Sequence, residues 1–314
     1  IYKEPKFGRL SYNLCLLEHQ TPSIFTNGIK HELQKAFLMK VCQIAQKADV
    51  LDTTKTIVPE YLERWHKADA TLRVNWENDV MALTSDIFSQ AFLGTRVEPS
   101  SMHDMVHASW TNNKGELRRG RTGAQRLIEA FKQSPKLHGI LDIAKDMRLT
   151  EEQAVMDVLF MLNFNGYGAV SGALRSAIAR LHNIQPEMRQ QLQQDIINSL
   201  DEDGITHESM KKMKQLDRFI LEVVFRLSPP VPVLFGRANK DLLLQSSSGS
   251  FEVKSDELIV GNVYLIQRDP TVFANPDAFL PSRFEDESLL HHMVFFNGPY
   301  QEVATPRNHY CPGK

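Results

Sequence analysis

Apolar residues recur every three or four positions along the first two thirds of the chain, which predicts a helical body. In the segment 76–94, WENDVMALTSDIFSQAFLG, the apolar side chains fall on one helical face and Gly94 follows as a C-cap. The segment 28–48, GIKHELQKAFLMKVCQIAQKA, has the same period. Each segment therefore predicts one amphipathic helix.

A longer helix is predicted from about residue 151 to 182. Thr150 and Gln153 form a capping-box pattern at its start, and no proline interrupts it. Its middle, MLNFNGYGAVSGAL, contains three glycines, each of which costs about 1 kcal/mol relative to alanine in a helix. Two asparagines, Asn163 and Asn165, interrupt the apolar face. These features predict that a flat chemical group approaches the helix backbone closely there.

The pattern changes after a helix that should end before the paired prolines Pro229 and Pro230. The short segments DLLLQ, SFEVKS and ELIVGNVYLI then predict strands near residues 241–266. Long irregular segments lead from there to a lone cysteine, Cys311, in the sequence RNHYCPGK. The sequence thus predicts a mainly α protein with a small β region.

Composition excludes some functions. The 314 residues carry a net charge of −2, so no global charge attracts nucleic acid or an anionic membrane. The densest basic patch, KGELRRGR at 114–121, predicts a solvated loop, with peripheral membrane contact as the minor alternative. Three cysteines are too few for a disulfide framework. Cys15 and Cys42 have the apolar neighbours of buried residues, whereas Cys311 lies among turn formers.

Several features occur in the order found in the cytochrome P450 superfamily: the glycine-interrupted helix, an acid and an arginine on a later helix, the PSRF segment and the lone cysteine. Three segments, SPPVPVLFGRANKDLLLQ, RDPTVFANPDAFLPSRF and FNGPYQEVATPRNHYCPGK, more narrowly resemble the clan of allene oxide synthases, hydroperoxide lyases and epoxyalcohol synthases. That clan has a lengthened segment before its cysteine, as between Gly298 and Cys311. FNGYGA resembles its Phe-Asn-x-x-Gly-Gly motif except at Ala169.

The resemblance runs from about residue 7 to the end. It implies an incomplete P450 fold, with 1–314 as a single haem-thiolate domain truncated at both ends and a long central helix over the haem. It also implies that Cys311 is the axial thiolate of haem b iron, because a deprotonated cysteine is the ligand in this superfamily.

The resemblance also assigns haem-binding roles to three basic side chains. His31 and Lys35 lie four residues apart on one helical face, where the clan has a haem-binding His-x-x-x-Lys pattern. His309 occupies a position where the clan often has a propionate-binding lysine. Without the resemblance, His31 and Lys35 would indicate only a solvated helix face.

Residues 158–174 contain no Asp or Glu, and Ser171 is the only aliphatic hydroxyl there. The acid–alcohol pair with which oxygen-activating members deliver protons is therefore missing from the sequence. The carboxamide of Asn165 can donate and accept hydrogen bonds, so it is the catalytic candidate for orienting a hydroperoxide. The alternative is that Asn165 packs between helices, which is the preferred interpretation for Asn163.

A third group of residues is expected to be structural. The superfamily keeps Glu-x-x-Arg, but here Val223 stands where the Glu is expected and the spacing from Glu222 to Arg226 is four. Both spacings keep the pair on one helix face, so Glu222 can still bind Arg226, with Arg283 of PSRF completing the cluster. The departure equally fits a weakened fold.

The predicted function is rearrangement or cleavage of polyunsaturated fatty acid hydroperoxides, without dioxygen or a redox partner. Allene oxide and epoxyalcohol products are slightly preferred over aldehydes. Ser171 stands where the clan has a substrate-contacting Lys, so the product stays open. The alternatives are a reductase-dependent monooxygenase and a non-catalytic haem-binding relative. A cytoplasmic or membrane-peripheral location is expected.

Overall fold

The chain is mostly helical, and its described residues form two compact units. The computed structural model describes residues 21–48, 50–67, 76–108, 113–246, 248–295 and 297–313. The first unit is drawn from residues 1–169, 235–261 and 304–312, and the second from residues 170–234, 262–303 and 313–314. Cys15 lies outside the described residues. The single haem-thiolate domain over 1–314 stays a prediction.

The first unit contains most of the helices. In the described residues these are α1 (Gly28–Ala48), α2 (Val50–Lys67), α3 (Trp76–Leu93), α4 (Pro99–Ala108), α5 (Lys114–Lys132), α6 (Leu137–Asp146) and α7 (Glu151–Phe160), with a 3-10 turn at Ser23–Phe25. The predicted helices over 28–48 and 76–94 are confirmed. Gly94 ends α3 with a φ of +71°, the left-handed conformation that a C-cap glycine supplies.

The basic segment KGELRRGR is the start of α5, so the prediction of a loop was wrong. The Asn113 side chain caps this helix, because its Oδ1 accepts hydrogen bonds from the amides of Gly115 at 2.9 Å and Glu116 at 3.2 Å. A Cβ on Gly123 would lie 2.6 Å from the carbonyl oxygen of Ser101. The glycine there permits close packing of α4 on α5.

Helical residues follow one another without interruption from Glu151 to Asn183, as the sequence predicted. The run consists of α7, a π-helical stretch at Met161–Ala169 (the π-segment) and α8 (Val170–Asn183). Thr150 caps α7 by accepting from the Gln153 amide at 3.2 Å. The reciprocal half of the predicted capping box is not formed, since the Gln153 side chain donates to Asp157 at 3.2 Å instead.

A buried carboxyl group ties α7 to α1 in the first unit. Asp157 is fully buried and accepts hydrogen bonds from the Ser23 amide at 3.0 Å and from Gln34 Nε2 at 2.9 Å. Burial raises the pKa of Asp157 to about 7, against the opposing effect of these hydrogen bonds. Around it lies an apolar core that includes Phe37, Val41, Leu93, Met105, Leu127, Phe131, Val158 and Leu162.

The second unit begins with α8. Its other helices are α9 (Pro186–Ser199), α10 (His207–Lys212), α11 (Lys214–Ile220), a second π-segment (Leu221–Leu227) and α12 (Val263–Ile266), with 3-10 turns at Pro281–Glu285 and Glu287–His292. The helical stretch ends at Leu227, just before the paired prolines, as predicted.

The β region consists of short strands. They are β1 (Val233–Arg237), β2 (Leu242–Ser246), β3 (Gly249–Val253), β4 (Leu258–Asn262), β5 (Val294–Phe295) and β6 (Gly298–Pro299). β1 pairs with β4, and β2 pairs antiparallel with β3, with Leu242 opposite Val253. The predicted strand ELIVGNVYLI is too long: Asn262 Oδ1 accepts from the Leu265 amide at 3.0 Å and so starts α12.

A fully buried ion pair lies in the second π-segment. Arg226 donates through Nε to Glu222 at 2.7 Å and through Nη2 at 2.6 Å, and neither side chain is exposed. Arg283 Nε reaches the same carboxylate at 3.2 Å. Residues four apart lie on one face of a helix, so the unusual spacing noted in the sequence still permits the buried pair.

Removing the carboxylate should destabilise the protein strongly. Glu222→Ala leaves the Arg226 guanidinium buried without its anion, and such changes cost about 3–5 kcal/mol. Glu285→Ala is the matched control, because Glu285 pairs with Arg218 at an exposed site at 3.0 Å, where pairs contribute about 0–1 kcal/mol. Urea denaturation measures both. Equal losses in the two variants would contradict the structural role of the buried pair.

Candidate functional site

Cys311 lies in the irregular segment after β6, and its side chain is half-buried. The preceding turn is held by Asn308, whose Oδ1 accepts from the Thr305 amide at 3.0 Å and from the Tyr310 amide at 3.2 Å. One side chain therefore fixes the backbone on both sides of itself. Tyr310 directly precedes the cysteine, so the Asn308 side chain fixes the backbone that leads to Cys311.

Helix α1 brings two basic side chains to this turn, across 273 or more residues of sequence. Lys35 Nζ donates to the Asn308 carbonyl oxygen at 2.5 Å and to its Oδ1 at 2.9 Å. His31 Nε2 lies 3.1 Å from the same carbonyl oxygen. Both basic side chains are buried, in contrast to the solvated face that the spacing alone indicates.

The His31 ring is placed between two carbonyl oxygens. Its Nδ1 lies 2.9 Å from the oxygen of Ser23, and its Nε2 faces the oxygen of Asn308. Both ring nitrogens therefore have an oxygen within hydrogen-bond distance. The His309 ring lies against the His31 ring, tilted by 35°, at a centroid distance of 3.9 Å.

Ser23 links this histidine to the buried acid of α7. The Ser23 amide donates to Asp157, and the Ser23 carbonyl oxygen faces His31 Nδ1. Asp157, Ser23, His31 and Asn308 thus form one chain of polar contacts within the first unit. Sequence reasoning missed Asp157 and Asn308. An acid in the apolar run VMDVLF was the available signal for Asp157. The sequence indicated Asn308 only as one of the turn formers around Cys311, without its role in binding Lys35.

The charges around Cys311 are coupled. Burial lowers the pKa of Lys35 to about 8, and the opposite charge of Cys311 partly offsets this effect. Burial also raises the pKa of Cys42 to about 11, with the charge of Cys311 adding to it. Cys42 is half-buried rather than fully buried, and its thiol contacts Met161 Sδ at 3.4 Å. Both cysteines in the described residues are half-buried, and Cys311 is the one whose charge acts on the Lys35 cation.

The π-segment carries both asparagines noted in the sequence. Asn163 is fully buried and donates through Nδ2 to the Met102 carbonyl oxygen at 3.1 Å, so it packs between helices. Asn165 is half-buried, and none of the described residues hydrogen-bonds its side chain. Its carboxamide therefore has donors and an acceptor that the described residues leave available.

The structure brings the sequence-predicted site residues together in two groups. His31, Lys35, His309 and Cys311 belong to the first unit, in contact with or next to the Asn308 turn, and Asn165 belongs to the same unit. Glu222, Arg226 and Arg283 meet in the second unit.

Comparison with known proteins assigns the family. The family model for cytochrome P450 matches residues 29–299. The chain belongs to the cytochrome P450 family. A cyanobacterial protein solved with retinoic acid bound, CYP120A1, superposes with a TM-score of 0.73 at 23% identity, covering 98% of this chain and 72% of that one. The prediction of a P450 fold, mainly α with a small β region, is confirmed.

Curated relatives of this P450 belong to the clan that the sequence resembles. A 9-divinyl ether synthase of Capsicum annuum is 30% identical over 226 residues, which are 71% of this chain and 46% of that protein. A chloroplastic fatty acid hydroperoxide lyase of Solanum lycopersicum is 32% identical over 60% of this chain and 41% of that protein. A chloroplastic allene oxide synthase of Arabidopsis thaliana is 33% identical over 60% and 37%. The chain spans less than half the length of these relatives.

The P450 family implies a haem-iron cofactor, and the residues of the first unit fit it. A half-buried thiol with a cationic neighbour, Lys35, suits a thiolate ligand to iron. Lys35 contacts Asn308 with two of its three ammonium donors, so its third donor suits a carboxylate of a porphyrin. Both ring nitrogens of His31 already face carbonyl oxygens, so His31 fits the site as a residue that holds the cysteine turn. The family match ends at residue 299, so the assignment of Cys311 depends on this geometry and on the resemblance of its segment.

The buried acid makes a pH-dependent contribution to stability. Because the pKa of Asp157 is about 7 in the folded chain and near 4 when unfolded, the folded state holds a proton that the unfolded state releases between these values. The stabilisation that this bound proton contributes is greatest below about pH 4, and it is lost as the pH rises towards 7.

Asp157→Asn should abolish this dependence. From about pH 5 to pH 7 the free energy of unfolding of the wild type should fall relative to the variant, by up to about 3 kcal/mol. Urea denaturation at both pH values measures it, with the exposed Asp142→Asn as the control that changes nothing. Parallel pH profiles for wild type and Asp157→Asn would show that Asp157 is ionised throughout.

Proposed function

We propose that this P450 is a haem-thiolate enzyme that rearranges or cleaves polyunsaturated fatty acid hydroperoxides without dioxygen or a reductase. The observation that carries the proposal is the Asn165 carboxamide, half-buried and without a hydrogen-bond partner among the described residues. It stands in a stretch, 158–174, that has no carboxylic acid. The relatives named for hydroperoxide and oxylipin chemistry support the same substrate class.

Cys311 would hold the haem iron through its thiolate, and Lys35 would bind a propionate through its third ammonium donor. His31 would support haem binding by holding the Asn308 turn, with His309 beside it. Haem bound in this way supplies homolytic cleavage of the hydroperoxide O–O bond. The hydrogen bonds from Lys35 to Asn308 keep the cysteine turn against α1. The same contacts therefore position both the iron ligand, Cys311, and the ammonium group that would bind a propionate.

Asn165 would act on the substrate oxygens. Its Nδ2 can donate to one hydroperoxide oxygen while its Oδ1 accepts the hydroperoxide proton. A neutral amide orients the peroxide without delivering a proton to it. Proton delivery to dioxygen, which a monooxygenase requires, has no acid in 158–174 to perform it.

The reaction needs no external electrons. An epoxyalcohol, or the aldehyde pair from chain scission, contains all the atoms of the hydroperoxide, and an allene oxide is the hydroperoxide less one water. In each case the peroxide oxygens are reduced by the carbon chain that carries them. A redox partner is therefore unnecessary, and the product depends on which substrate atom reacts next.

Location and membrane contact stay predictions. Across the part of the chain that the structure describes, no helix is both long and apolar enough to span a bilayer. The exposed face of α5 carries Arg118, Arg119 and Arg121, which is the basic patch considered for peripheral membrane contact.

The direct test mixes haem-loaded full-length protein with a linoleate hydroperoxide in the absence of reductant and follows loss of conjugated-diene absorbance. The wild type should consume the substrate rapidly. Asn165→Ala should lower kcat/KM by one to two orders of magnitude, because a hydrogen bond to a strongly polarised group contributes about 1.5–3 kcal/mol. Asn183→Ala is the matched control, since that amide is exposed and bonds only within α8.

The other outcomes would support the alternative functions. Hydroxylation that depends on NADPH and a reductase, with no loss of diene in their absence, would indicate the monooxygenase. No turnover under either condition would indicate a non-catalytic haem-binding relative. Full activity in Asn165→Ala would remove the role assigned to the carboxamide.

A further inference from the structure

The residues on either side of Asn165 are held by neighbouring helices. Asn163 donates to the Met102 carbonyl oxygen of α4 at 3.1 Å. Gly166 packs so closely on Phe88 of α3 that a Cβ there would lie 2.8 Å from the Phe88 ring. Helices α3 and α4 thus fix the π-segment immediately before and after the Asn165 amide.

A third contact is polar and almost completely buried. Tyr167 is 2% exposed, and its hydroxyl lies 3.1 Å from Nδ1 of His103 on α4. Burial lowers the pKa of His103, and the neighbouring His107 ring, 4.1 Å away between centroids, lowers it further. A neutral His103 accepts the hydroxyl proton of Tyr167 at Nδ1.

These contacts matter for Asn165 because of the geometry of the π-segment. A π-helix is rare, because its wide turn packs less well than an α-helix, and it occurs mostly as short bulges at functional sites. If the segment relaxed to α-helical hydrogen bonding, its residues would rotate about the helix axis and the Asn165 side chain would point elsewhere. Contacts that fix the rotation of Asn163, Gly166 and Tyr167 therefore also fix the direction of Asn165.

We infer that the hydrogen bond between Tyr167 and His103 fixes the register of the π-segment and so aims the Asn165 carboxamide, which makes both of them positioning residues for the reaction. This inference rests on the proposed function for its catalytic consequence. It adds two side chains that lie outside the haem-binding and substrate-contacting sets described above.

The test removes the hydrogen bond from each side. Tyr167→Phe deletes the hydroxyl, and His103→Leu deletes the acceptor. Each should lower kcat by about fivefold, the equivalent of one ordinary hydrogen bond, with KM little changed. His103→Asn is the rescue, because its Oδ1 can accept the hydroxyl proton where Nδ1 did, and it should recover most of the lost kcat.

A second comparison separates positioning from general destabilisation. In an Asn165→Ala background, Tyr167→Phe should have no further effect on kcat, since there is no carboxamide left to aim. An undiminished fivefold loss in that background would overturn the inference, as would wild-type kcat in Tyr167→Phe alone.

Hydrogen exchange gives a readout that is independent of turnover. Tyr167→Phe should speed amide exchange in 161–169 while leaving the α1 amides of 31–45 unchanged. Unchanged exchange in 161–169 would overturn the inference. If the wild type consumes no hydroperoxide, the proposed function fails, and this measurement still decides whether the hydrogen bond holds the segment.

Discussion

The Asn308 carbonyl oxygen is the point on which the site depends, because two basic side chains of α1 converge on it from the far end of the sequence. A cysteine in an irregular segment has no secondary structure to place it. Lys35 and His31 supply that placement, and the Asn308 side chain carries it to the backbone beside Cys311. Asp157 accepts a hydrogen bond from the Ser23 amide, and the Ser23 carbonyl oxygen in turn lies at the second ring nitrogen of His31.

Two π-helical stretches carry the less usual features of the chain. In Leu221–Leu227, Glu222 and Arg226 lie four apart on one helix face and form a buried pair despite the altered spacing. In Met161–Ala169, the Asn165 side chain has no hydrogen-bond partner among the described residues, while Asn163 donates to α4 and Gly166 packs on α3. The first stretch therefore contributes to stability in the second unit, and the second leaves one amide available in the first unit.

Helix existence and the order of elements could be predicted from the sequence, since periodicity and caps are local signals. The errors came where a cap or a close packing contact decided the outcome. Asn113 turns a glycine-rich basic segment into α5, and Asn262 ends a strand early. The site was predicted from a resemblance, which supplied Cys311, His31 and Lys35. It could not supply Asn308, His103 or Asp157, because their roles depend on partners distant in sequence.

Absorption spectroscopy of haem-loaded protein, reduced and then exposed to carbon monoxide, tests the central claim most directly. Full-length wild type, reduced and exposed to carbon monoxide, should show the red-shifted Soret band of a thiolate-ligated haem, and Cys42→Ser should show it too. Cys311→Ser should lose that band. Retention of the band in Cys311→Ser, or a wild type that takes up no haem, would contradict the account.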